Sequence, residues 1–178
     1  MAPGHLEKRK ILSRLPLEGC IEGEDLSLSG PALVELLRAV LGKGAPFRFR
    51  VRGFSMSPFI KDGDVVTLSP LSVRSQRVGN VVAFLYPGSG KLAIHRVVEK
   101  KGDSSLIMGD SNPGPDGLIP EKNILGVVRK VERDGRRVYL GLGPERLVIA
   151  YLNRRRLLFP LLLPVWKLIR PVLKRLYR

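Results

Sequence analysis

The stretch FRFRVRGFSMSPFIKDGDVVTLSP, residues 47–70, decides the fold. Phe47, Phe49 and Val51 alternate with Arg48, Arg50 and Arg52, the period of two that gives a strand one buried and one wet side. The three arginines then read as a solvated face. Gly53, Pro58 and the KDGD segment interrupt the alternation, with Asp62 and Asp64 as turn-forming residues. Val65 to Leu68 resume a strand. A small hydroxyl, Ser55, is left at the exit of the first strand, between residues that restrain the backbone on either side.

Working outward, residues 29–44, SGPALVELLRAVLGKG, carry a helical period. Ser29 suits the N-cap, Pro31 the first turn and Gly42 the exit, with Leu33, Leu36, Leu37, Val40 and Leu41 on one face. Downstream, Asn80 to Tyr86 and Leu92 to Val98 are further strands, punctuated by Gly, Pro and Ser. ILGVVRKVERDGRRVYLGL, from Ile124, predicts a hairpin turning at Asp134-Gly135, a pair that tolerates the positive φ of tight turns. The chain is therefore read as mainly β with a short N-terminal helix. Composition shifts near Gly143-Pro144: from Arg146 to Arg178 there are nine basic residues and no acidic one. The expected organisation is an extension with the helix (1–45), a β domain (46–143) and a basic apolar helical tail (144–178).

With 178 residues the chain suits one ordinary core. Lys and Arg total 31 against 16 Asp and Glu, a net charge of +15 that calls for an anionic partner. One convincing N-terminal helix falls short of a helix-turn-helix, so nucleic acid is not the expected partner. The tail sequence RRRLLFPLLLPVWKLIRPVLKRLYR flanks an apolar run, Leu157 to Trp166, with basic residues. Ten residues are short for a span, and the first forty residues lack the apolar core of a signal peptide. The tail, residues 146–178, instead suits peripheral contact with an anionic membrane. Cys20 is the sole cysteine and His5 and His95 the sole histidines, so neither a disulfide framework, a metal site nor a cofactor is expected.

Serine hydroxyls become nucleophiles when a neighbouring base takes the proton, a task suited to imidazole. His95, in KLAIHRVVEK, shares a predicted strand face with Ala93 and Val97. An imidazole works best when a carboxylate fixes its tautomer, and MGDSNPGPDGLIP offers Asp110 and Asp116 in a turn-rich segment after another strand. Lys91, four residues before His95, is a weaker alternative base.

The blocks GFSMSPFIKDGDVV, VGNVVAF, AIHRVV, GDSNPGPD and ILGVV occur in an order that resembles signal peptidase I and its relatives, which include the LexA-like self-cleaving repressors. The resemblance covers roughly residues 50 to 130. It implies a serine endopeptidase on a β-rich, partly barrel-like fold, acting on peptide or precursor-protein substrates. By position, Ser55 would be the nucleophile and His95 the base, where bacterial members usually carry lysine; in this the chain resembles the Ser-His type of archaea and the endoplasmic reticulum. Asp116 would orient the imidazole, with Asp110 a supporting or second candidate. Gly53-Phe54 stands where signal peptidases often carry Ser-Gly, which is closer to the repressor branch and leaves oxyanion stabilisation to backbone N–H groups. The rival reading, a self-cleaving or non-catalytic DNA-binding regulator, lacks the Ala-Gly dipeptide expected of that branch.

Overall fold

The computed structural model describes residues 21–23, 30–72, 75–158 and 160. Ser29, Cys20, His5 and tail residues 161–178 lie outside them. Strands β1 (Ile21–Gly23), β2 (Phe47–Arg50), β3 (Val65–Ser69), β4 (Val81–Leu85), β5 (Leu92–Lys101), β6 (Ser104–Met108), β7 (Gly117–Pro120), β8 (Ile124–Arg133) and β9 (Arg136–Val138) form one sheet. Helix α1 (Gly30–Gly42) lies between β1 and β2 in sequence, and helix α2 (Arg146–Arg154) follows β9. The neighbour order is β1-β2-β3-β8-β4-β5-β6-β7, with β9 paired to β8. All pairings are antiparallel except β1 with β2.

The mainly β reading and the helix thus hold, with two strands the sequence did not reveal. β1 has three residues and β7 four, too short for a visible period. The hairpin at Asp134-Gly135 forms as expected, with φ of 51° and 74° joining β8 to β9.

Apolar side chains bury both faces of the sheet. On one, Leu37, Val40 and Leu41 of α1 pack with Phe47, Phe49, Val66, Leu68 and Val81. On the other, Val82, Phe84, Val97, Ile107, Ile119 and Val127 come from strands alone, so the sheet curls over its own face. All five residues of β4 are buried, as a central strand covered on both sides requires.

The expected tail begins with α2, and this helix packs on β5: Ala150 meets Val98 and Met108, while Ile149 joins Phe59 and Leu158. Leu147, Val148 and Tyr151 stay exposed on its outer side. No helix among the described residues is long and apolar enough to cross a membrane.

Candidate active site

Ser55 follows β2 in a run of turns. Ser57 N–H donates to Phe54 O and the Ile60 N–H to Met56 O, at 3.0 Å each, and the buried side chains of Met56 and Ile60 anchor the run in the core. The Ser57-Pro58 peptide is cis. Gly53 N–H donates to Asp62 Oδ1 at 2.7 Å, and Asp64 accepts from Lys61 N–H at 2.8 Å. Both aspartates therefore brace the loop that carries Ser55, and Asp64 also takes a bidentate pair from Arg133, 2.8 Å for each bond.

Segment 109–111 closes over the same loop. Ser111 N–H donates to Ser55 O at 2.9 Å and Ser111 Oγ to Phe54 O at 2.6 Å. A Cβ at position 109 would lie 2.7 Å from Ser55 O, so only glycine permits this approach.

His95, on β5, is buried at 5% exposure. Its Nε2 lies 2.8 Å from Ser55 Oγ and its Nδ1 2.6 Å from Asp116 Oδ2. The carboxylate fixes the tautomer: Nδ1–H donates to Asp116, and Nε2 accepts from the serine hydroxyl. Asp116 is held by its own N–H, which donates to Ile107 O at 2.8 Å, and by Tyr86, whose hydroxyl donates to Oδ1 at 2.6 Å. Both carboxylate oxygens are thus engaged. Burial, reinforced by the Asp116 carboxylate, pushes the Tyr86 phenol well above its usual range and keeps it a donor.

Tyr86 carries no motif, and the sequence reading placed it only at a strand end. A signal existed: Val82, Phe84 and Tyr86 share one face, and pairing Val82 with His95 puts that face beside the imidazole.

Asp110 stands apart from this chain of bonds. It accepts from Arg96 Nε at 2.8 Å and Nη2 at 2.6 Å, with both side chains wholly buried. Arg96 Nη1 donates to Gly79 O and Gly141 O at 2.8 Å each, and Asn153 of α2 donates to Asp110 Oδ1 at 3.2 Å. Burial pushes the Asp110 carboxyl upward while the guanidinium opposes it. Lys91 makes no bond to Ser55; it lies immediately before β5, at the rim of a cleft of about 800 Å³ shared by Arg50, Arg52, Ser55, Tyr86 and His95.

Among the described residues, two strand edges bordering that cleft carry no partner strand. Val51 is bonded to Asp64 O and Gly63 N, so the alternating groups of Arg50 and Arg52 turn the other way, beyond the short β1 pairing that ends at Phe49. β6 pairs with β5 only from Arg96 onward, leaving Leu92 to His95 open on that side. Such edges suit an extended peptide added as a strand.

A serine, imidazole and carboxylate in hydrogen-bonded series beside two such edges is peptidase geometry, and the sequence pattern of the Peptidase S24-like family matches residues 29–129, more than half of the chain. The chain belongs to the Peptidase S24-like family. The S24-like match begins before α1 and ends in β8, so it takes in both Ser55 and Asp116. It makes this a serine peptidase of the LexA and signal peptidase type, with a protein substrate. A comparison with curated proteins found no match. Among the described residues no cluster of His, Cys, Asp or Glu could hold a metal ion.

Proposed function

We propose that this S24-like peptidase is an endopeptidase of the signal peptidase I kind, cutting signal or leader peptides in trans through an acyl-enzyme. The observation that carries the reading is the series Ser55 Oγ, His95 Nε2, His95 Nδ1, Asp116 Oδ2, with contacts of 2.8 and 2.6 Å, opening on the cleft.

In the first half-reaction Ser55 Oγ attacks the scissile carbonyl carbon as its proton passes to His95 Nε2. The imidazolium, stabilised by Asp116, returns that proton to the departing amide nitrogen as the C–N bond breaks. In the second half-reaction His95 takes a proton from water, whose oxygen attacks the ester carbonyl, and then restores the proton to Ser55 Oγ. The backbone N–H of Ser55 is taken by no hydrogen bond among the described residues, which leaves it available to the oxyanion. Asp110, bonded to Arg96, supports the scaffold behind His95.

Purified protein should cleave a synthetic leader peptide, and Ser55→Ala should lower kcat/KM by at least about 10⁴-fold. Full-rate cleavage by Ser55→Ala would falsify the assignment. Intact mass after prolonged incubation distinguishes the rival: a self-cleaving regulator fragments itself and spares the added peptide.

The end of the chain supports membrane contact. Leu147, Val148, Tyr151 and Leu157 are exposed, with the exposed Arg154, Arg155 and Arg156 beside them. The protein should float with anionic liposomes, less so at high salt, and not with neutral ones. Equal flotation with both would remove the electrostatic part of this reading.

A further inference from the structure

The catalytic cleft is rimmed by positive charge on both lips. Arg50 and Arg52 lie on the segment leading to Ser55, and Lys91 immediately before β5 on the opposite edge; all three are exposed. Among the described residues no Asp or Glu lines the cleft. Asp62, beside the first lip, is engaged by the Gly53 N–H.

Elsewhere in the sheet some basic side chains are paired with carboxylates, while Lys101, Arg129, Arg136 and Arg137 have no carboxylate partner among the described residues. Arg48 pairs with Glu132 at 3.1 Å, Arg96 with Asp110, Arg133 with Asp64 and Lys130 with Glu132. Among the described residues, Arg50, Arg52 and Lys91 have no carboxylate partner; Arg50 Nη1 instead donates to Gly63 O at 2.9 Å. Arg48 and Arg50 are two residues apart on one strand face, and among the described residues the carboxylate partner falls to Arg48.

We infer that the cleft selects peptides bearing acidic side chains a few residues from the scissile bond. The inference rests on the peptidase reading above and names the chemistry of its substrate. Strand geometry places the position: Lys91, immediately before β5, lies four residues, roughly 13 Å of extended chain, from His95. An extended peptide between the two edges therefore brings its third or fourth residue from the cut bond between Lys91 and the arginines. A carboxylate there meets positive charge from two sides of the groove. A lysine at the same place meets like charge and is disfavoured.

The test uses three otherwise identical peptides, with Asp, Asn or Lys at the third and fourth residues on either side of the cut bond. Cleavage by the full chain should rank Asp over Asn over Lys. Asp should exceed Asn by about three- to tenfold in kcat/KM at low salt, the scale of a few exposed ion pairs, and the ratio should shrink in 0.5 M salt. In R52Q/K91Q the Asp to Asn ratio should fall toward one. Binding of the same fluorescent peptides to Ser55→Ala reads the preference without turnover. Equal binding and cleavage of Asp and Asn peptides, or a preference for Lys, overturns the acidic selection while leaving the peptidase standing. Preferential binding of Asp peptides with no cleavage of any by the unaltered chain leaves the selection and removes the peptidase.

Discussion

Two aspartates six positions apart hold different posts, and their variants should part accordingly. Asp116 touches His95 and Tyr86, so Asp116→Asn should keep the fold and lower kcat by about 10⁴-fold, because the amide presents the wrong partner to Nδ1. Asp110 touches Arg96 and Asn153 in the interior, so Asp110→Ala should cost about 3–5 kcal/mol in urea unfolding by leaving a buried guanidinium unpaired. Tyr86→Phe tests positioning: freeing Asp116 Oδ1 should lower kcat about three- to thirtyfold with KM little changed. Made in Asp116→Asn, the same change should add almost nothing, since the hydroxyl acts through that carboxylate. Ser55, His95 and Asp116 were legible as residue types in ordered blocks. Arg96 was not: it neighbours His95 on the opposite strand face, where a charged residue ordinarily reads as wet, and only packing from distant segments buries it.

At the scale of elements, the sheet was read from alternation and turns, and its central strands fall where those signals are strong. Asn80 and Tyr86, expected within a strand, fall just outside β4; Tyr86 N–H instead closes the hairpin mouth by donating to Lys91 O at 3.0 Å. The helix α2 shows a different limit. Its apolar and basic residues read as a tail set apart from the β domain, because amphipathic sequence does not say which surface receives it. In the structure Asn153, 2% exposed, reaches from α2 to Gly109 O and Asp110. Asn153→Ala should therefore destabilise the protein by about 1–3 kcal/mol, read as a lower urea midpoint, by orphaning buried acceptors. An unchanged midpoint would show that α2 contributes no specific bond to the core.

For the whole molecule, the net charge of +15 leaves its few engaged carboxylates important at low pH. Bonding from Lys130 and then Arg48 holds Glu132 below its ordinary 4.5; burial pushes Glu145 up, but the N–H groups of Glu145, Gly141 and Gly143 outweigh it and also leave it low. A carboxyl depressed on folding stabilises the native state above its unfolded pKa, and that stability is lost as pH falls through the folded value. The urea midpoint should thus drop as pH falls below 4.5, and the drop should be shallower in Glu132→Gln/Glu145→Gln. By itself the sequence determined the mainly β class, the N-terminal helix, the Asp134-Gly135 hairpin and the residue types of an acyl-transfer site, because alternation, turn chemistry and motif order are local properties. Only tertiary structure decided which carboxylate meets His95, that Tyr86 braces it, and that Arg96 is buried between Gly79, Asp110 and Gly141. Those contacts depend on strand register and on the curl of the sheet, which join positions tens of residues apart that no local pattern connects.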